Sequence, residues 1–174
     1  MARSALAAAV LLAASASPAL ADPTGLRVTA LAGLERTDGA PGAGASDGFY
    51  YGGQLGYDWQ LGPVIAGLEG DLGGSSANRI VGTRRADQGV FASAAVRLAV
   101  PVTSGLRGFV RGGYAYHEVT YDTGRAFRGS GWTLGGGGEV DVTQRLFLRA
   151  EYRFSDYGRT LRGQQFLGGV GLRF

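Results

Sequence analysis

The segment LFLRAEYRFSDY, residues 146–157, sets Leu146, Leu148, Ala150, Tyr152 and Phe154 on one parity and Phe147, Arg149, Glu151, Arg153 and Ser155 on the other. A period of two is that of a β-strand, whose successive side chains point to opposite faces. One face of this strand is aliphatic and aromatic; the other carries two arginines and a glutamate. The closing segment FLGGVGLRF, residues 166–174, repeats the pattern, with Phe166, Gly168, Val170, Leu172 and Phe174 on the apolar parity and Arg173 on the other.

Six further segments alternate in the same way: LRVTALAGL (26–34), FYYGGQLGYDW (49–59), VIAGLEGDL (64–72), VFASAAVRLAV (90–100), LRGFVRGGYAY (106–116) and WTLGGGGEVDV (132–142). Pro101 is expected to end the alanine-rich fourth of these, because proline has no N–H for a sheet ladder. The eight strands are read as about nine to eleven residues long, the length that crosses a bilayer when tilted. Their connections alternate between tight (60–63, 101–105, 143–145) and longer, rich in Gly, Ser, Asp and Arg (35–48, 73–89, 119–130, 158–163). Short turns on one side and long loops on the other predict an all-β fold, an eight-stranded antiparallel up-and-down transmembrane β-barrel with short periplasmic turns and longer extracellular loops.

The charges set which face points inward. Glu69, Asp71, Arg97, Arg107, Arg111, Glu139, Asp141, Arg149, Glu151, Arg153 and Arg173 all lie on the parity opposite the aliphatic one. A soluble exported ligand-binding barrel of lipocalin type would turn its aliphatic face inward, but an eight-stranded interior has room only for its own side chains or one small ligand. The aliphatic face is therefore expected to meet lipid, and the charged face to fill the lumen as a mixed-sign network. Glu139 and Arg149 fall near-opposite across the 143–145 turn, so each can neutralise the other where an unpaired buried charge would be costly. Glycines 135, 137, 169 and 171 share the charged parity and are expected to make room for arginine side chains. Tyr57, Trp59, Tyr114, Tyr116, Trp132, Tyr152 and Phe154 sit near strand ends, as in the two aromatic girdles at membrane interfaces.

The N-terminus reads as a cleaved signal peptide, residues 1–21: Arg3, the run ALAAAVLLAASA, and the small-x-small site Ala19-Leu20-Ala21. Residues 22–174 are then a single barrel domain. The chain has no cysteine, which removes disulfides and thiolate metal sites. All seventeen basic residues are arginine, and they alternate with the fourteen acidic ones instead of clustering, against nucleic-acid binding. Glycine supplies 32 of 174 residues, yet large apolar residues are spread evenly, so the excess reflects close packing and not disorder.

The segments FYYGGQLGYDWQLGPVIAGLEGDLGG (49–74), GGGGEVDVTQRLFLRAEYRFSDYG (135–158) and the terminal FLGGVGLRF carry a resemblance to the small outer-membrane β-barrel family that includes alphaproteobacterial surface antigens and porin-like proteins, related in architecture to the OmpA membrane domain and OmpX. The resemblance implies a Gram-negative outer-membrane location, contact with outer-membrane lipid and lipopolysaccharide, and a role in envelope integrity or surface interaction, with no catalytic set and no cofactor. It also implies that Phe174 is an assembly signal read by the barrel-assembly machinery, and that the extracellular loops are available to a ligand.

Other chemistry is thinly supported. GGGGE, residues 135–139, lacks the Lys-Ser/Thr of a phosphate loop and precedes no helical pattern. His117 is the lone histidine, which excludes a multi-histidine metal site within one chain. A lipid A-modifying hydrolase would need a serine beside a general base; Ser130 could approach His117 across the loop, but a rim histidine is the simpler expectation. A narrow porin passing small solutes is the alternative to a structural barrel, and requires a continuous wet path through the lumen.

Overall fold

In the computed structural model, the described residues are 24–38, 45–76, 79–81, 84–87, 90–121, 126–158 and 162–174; residues 1–21, expected to be a signal peptide, lie outside them. They form ten strands and no helix: β1 (Gly25–Asp38), β2 (Ala45–Leu61), β3 (Val64–Ser75), β4 (Arg79–Val81), β5 (Arg84–Asp87), β6 (Val90–Thr103), β7 (Leu106–Tyr121), β8 (Ala126–Asp141), β9 (Leu146–Asp156) and β10 (Arg162–Arg173). Eight of them build a closed antiparallel wall in the order β1, β2, β3, β6, β7, β8, β9, β10, with β10 paired back onto β1 over the run from Arg27–Arg173 to Asp38–Arg162.

Following cross-strand partners once around the wall from Asp38, through Arg162, Asp156, Trp132, Tyr114, Ala94, Gly70 and Leu55, returns to β1 at Val28, a stagger of ten residues. With a rise of about 3.3 Å per residue and strands about 4.8 Å apart, that stagger tilts the strands by about 40° and gives a backbone radius of about 8 Å. The eleven residues of β9 then span about 28 Å, enough for the ~25 Å apolar band of an outer-membrane barrel. The seventeen of β2 and the sixteen each of β7 and β8 rise well above it.

Several boundaries differ from the expected ones. Strands reach into all four of the long connections: β1 continues to Asp38, β7 to Tyr121, β10 starts at Arg162, and the 73–89 segment contains the end of β3 and the β4–β5 hairpin, which pairs onto β7 through Ala86–Tyr121 and Asp87–Thr120. Nor does Pro101 end its strand. β6 runs to Thr103 and absorbs the proline in a bulge, Pro101 facing Arg107 and Thr103 facing Leu106, so Val102 is the extra residue. The three tight turns use few residues, and Gly62 and Gly105 turn the chain at φ +65° and +99°, a region that disfavours side chains.

The outer surface is a continuous apolar belt. Leu34, Leu55, Leu68, Leu72, Val96, Val110, Leu134, Leu148, Phe166 and Val170 are all exposed, as are Tyr57, Trp59, Tyr114, Trp132 and Tyr152. Phe174 lies on the same outer face, its N–H donating to the Leu26 carbonyl at 2.9 Å, and its side chain is 66% exposed. An apolar exterior around a charged interior is inverse to a soluble barrel, and overturns the lipocalin-type alternative.

Candidate functional site

The lumen is where this chain concentrates its polar chemistry. The alternation of each strand sends every second side chain inward, and the 8 Å radius lets guanidinium groups from opposite walls meet near the axis. Arg27, Arg97 and Glu139 are at most 1% exposed, and Asp58, Glu69, Asp71, Arg111, Arg149, Glu151 and Arg153 are also buried.

Glu139, from β8, is one hub. It accepts hydrogen bonds from Arg149 Nη1 (3.1 Å) and Arg173 Nη2 (2.7 Å), and lies 2.8 Å from Arg97 Nη2 and 3.6 Å from Arg27 Nη1. Glu139 and Arg149 are direct cross-strand partners. Asp58, from β2, holds Arg27 Nε at 2.7 Å and Arg97 Nη1 at 3.0 Å. Glu69 carries the network onward, accepting from Arg149 Nη1 (3.0 Å) and Arg27 Nη2 (3.4 Å).

A second hub stands on the extracellular side. Asp71 accepts from Arg111 Nη2 (2.6 Å), Arg153 Nη2 (3.3 Å), Ser93 Oγ (2.6 Å) and Gln54 Nε2 (2.9 Å). Glu151 links it to the first hub by accepting from Arg153 Nε (2.9 Å), Arg111 Nη1 (3.3 Å) and Arg149 Nε (3.0 Å). At the periplasmic rim, part-exposed Asp141 accepts from Arg107 Nη1 at 3.1 Å and from Arg173. Fixed, always-protonated guanidinium forks suit such multi-point pairing better than a lysine point charge, a physical reason for the arginine-only composition.

Aromatic rings back the arginines: Arg149 Cζ lies 3.9 Å from the Phe109 ring centre, Arg173 Cζ 4.1 Å from that of Phe147, and Arg97 Cζ 5.0 Å from that of Phe109. Two apolar clusters flank the network: Ile65, Ala99 and Phe109 toward the periplasmic end, and Leu31, Tyr50, Phe91, Ala115 and Leu167, joined by Tyr157, toward the extracellular end. Tyr50 and Phe91 meet edge-on at 5.6 Å between ring centres.

The structure buries nine of the eleven charged residues expected in the lumen and places Arg107 and Asp141 part-exposed at its rim. Alternation also marks inward charges outside that set: Arg27 lies between outward Leu26 and Val28, Asp58 between outward Tyr57 and Trp59, and Glu35 follows outward Leu34. The glycine expectation is corrected in part. A Cβ at Gly135 would meet Arg111 Cγ at 3.1 Å, but at Gly171 it would meet the Phe147 ring, at Gly169 the Leu31 and Thr29 side chains, and at Gly137 the backbone of Ala150 and Glu151. An arginine instead crowds Gly56, where a Cβ would lie 2.9 Å from Arg27 Nη2.

Tyr57 and Trp59 pack with ring centres 4.9 Å apart near a short turn, and Trp132 packs against Phe154 at 5.4 Å toward the opposite end. Tyr114 Oη donates to Ser130 Oγ at 3.0 Å, Tyr116 Oη donates to Glu118 Oε2 at 2.8 Å, and Tyr152 Oη donates to Gln164 Oε1 at 3.1 Å. His117 is not a loop residue: it lies within β7 on the charged, inward parity, paired with Phe91 and Gly129. Ser130 pairs with Tyr116 and its hydroxyl engages outward Tyr114, so Ser130 and His117 lie on opposite faces of the wall and form no nucleophile–base pair. No group of three or more His, Cys, Asp or Glu suited to a metal ion occurs among the described residues.

The family model described as "Outer membrane protein beta-barrel domain" matches residues 5–174. The chain is 30% identical over 122 residues to the 25 kDa outer-membrane immunogenic protein of Brucella ovis, covering 68% of this chain and 60% of that protein. It is 32% identical over 132 residues to the 31 kDa outer-membrane immunogenic protein of Brucella melitensis, covering 64% and 55%. The chain thus spans less than two thirds of these relatives' length. In fold it is similar to Neisserial surface protein A, with a TM-score of 0.67 at 17% identity, over 87% of this chain and 98% of that one.

Proposed function

Because the chain belongs to the family of outer-membrane β-barrel domains, we propose that it serves in the outer membrane as a closed, non-enzymatic and non-conducting barrel whose extracellular end makes surface contacts. The observation that carries this reading is the filled lumen. The ion-pair network ties opposite walls together, and apolar clusters sit at both of its ends, so a solute would have to break several buried pairs to pass. In this reading the apolar belt meets outer-membrane lipid and lipopolysaccharide, the barrel-assembly machinery reads Phe174 during insertion, and the extracellular ends of β2, β7 and β8 present the loops to a ligand.

The test is conductance in planar bilayers of protein refolded into detergent, with the folded state confirmed by a heat-dependent shift in gel mobility. A folded, electrically silent barrel is the expected result. Discrete channel steps would refute it and promote the narrow-porin alternative, with Arg97, Arg111, Arg149 and Arg153 as the residues to vary for ion selectivity.

A further inference from the structure

The extracellular end of the lumen holds polar atoms that the arginine network does not reach. Glu35 of β1 and Gln165 of β10 are direct cross-strand partners, and Gln165 Nε2 donates to Glu35 Oε1 at 2.9 Å. Their side chains are buried, at 6% and 3% exposure, and Glu35 enters no ion pair among the described residues. Glu35 Oε2, Gln165 Oε1 and His117 Nδ1 are each buried without a hydrogen-bond partner there. His117 and Tyr157 lie at the same end, with ring centres 5.8 Å apart: His117 faces Phe91 across the β6–β7 pairing, and Phe91 and Tyr157 share one apolar cluster with Leu31 and Leu167, the next inward residues below Glu35 and Gln165 save Gly33.

The three orphaned atoms share one chemistry. A carboxylate oxygen, an amide oxygen and the Nδ1 of an imidazole protonated on Nε2 are all acceptors. Leaving a buried carboxylate half-bonded and unpaired is costly, so the complementary occupant is cationic and rich in donors. Water would supply two donors and no charge. A metal ion is poorly served, since one carboxylate and one imidazole are the only strong ligands at hand. A primary ammonium has a positive charge and three N–H donors, one for each acceptor. The aromatic ring of Tyr157 beside His117 suits a cation, and the apolar cluster beneath suits its alkyl stem.

We propose that the extracellular end of the lumen is a binding site for the primary ammonium group of a small alkylamine, with Glu35 supplying the charge and Gln165 and His117 the remaining acceptors. The test uses the folded barrel in detergent micelles, titrated with n-butylammonium, N,N,N-trimethylbutylammonium and sodium, and read by amide chemical shifts and calorimetry. Expected are saturable shifts at Glu35, Gln165 and His117 with butylammonium alone, because the quaternary analogue has no N–H to donate. Glu35→Gln, which preserves shape and can still accept from Gln165, is expected to weaken binding about tenfold or more.

Equal response to the quaternary ion, no saturable response, or unchanged affinity in Glu35→Gln would each overturn the proposal. So would an imidazole nitrogen spectrum showing the His117 proton on Nδ1. The comparison of the two ammonium ions and the imidazole spectrum both use the unaltered protein, so the test survives if the variant fails to fold.

Discussion

Glu139→Gln keeps the shape of the side chain and removes one charge from the point where four guanidinium groups converge, those of Arg27, Arg97, Arg149 and Arg173. Breaking a buried pair by deleting one partner costs about 3–5 kcal/mol. Here each arginine keeps another acid: Arg27 and Arg97 keep Asp58, Arg149 keeps Glu69 and Glu151, and Arg173 keeps Asp141. That retention places the expected loss near the lower bound, about 3 kcal/mol. Asp141→Asn, at the part-exposed rim, is expected to cost only about 1 kcal/mol, as for a solvent-screened pair. Adding Arg97→Gln to Glu139→Gln removes the surplus positive charge and should restore about 1–2 kcal/mol, a coupling typical of side chains in one network. The assay is reversible urea unfolding in lipid vesicles, followed by the fluorescence of outward-facing Trp59 and Trp132. A Glu139→Gln barrel within about 0.5 kcal/mol of the parent, or one less perturbed than Asp141→Asn, would refute the view that this hub holds the lumen together.

Three more outcomes are expected. Leu55→Arg, on the outer face within the membrane path of β2, should cost about 2–4 kcal/mol in vesicle unfolding, and Val102→Arg, on the outer face near the periplasmic rim, at most about 1 kcal/mol; equal costs would contradict the proposed membrane placement. Gly171→Ala should destabilise by about 1–3 kcal/mol through the Phe147 ring and recover when Phe147→Leu is added, whereas Gly33→Ala, which meets the Phe166 carbonyl, should not be rescued by Phe166→Leu; thermal shifts of the two single and two double variants check this. Phe174→Ser should lower the yield of inserted barrel in cells and leave detergent refolding nearly unchanged, measured by gel mobility in both settings; a matching loss in detergent would assign Phe174 a folding role instead.

The wall and its inside-out polarity were legible because alternation is a local property: LFLRAEYRFSDY carries it within twelve residues. The same rule in LRVTALAGL puts Arg27 in the lumen, but a single charge in a short aliphatic run shows no partner in its own sequence. His117 follows the inward parity of Arg107, Phe109 and Arg111, but the apolar alternation fades after Tyr116, and only pairing with β8 carries β7 on to Tyr121. What each glycine accommodates was not legible. It depends on which strand lies alongside and at what stagger, so Gly171 serves the Phe147 ring and Gly56 serves Arg27, neither near in sequence. The Pro101 bulge was hidden for a similar reason: a lone proline signals a strand end unless the neighbouring strand can yield one residue of register.

The seam between β1 and β10 also sets an order of events. It joins the first and last strands of the barrel and places Arg27 directly against Arg173. Like charges in that position repel, and the acids that separate them belong to other strands: Glu139 and Asp141 on β8 and Asp58 on β2. Until β2 and β8 are in place, the two free edges push each other away. Closing the seam is thus easier by about 0.2–1 kcal/mol once β2 and β8 supply their acids, and the same repulsion weighs against an edge offered by a second, half-built copy.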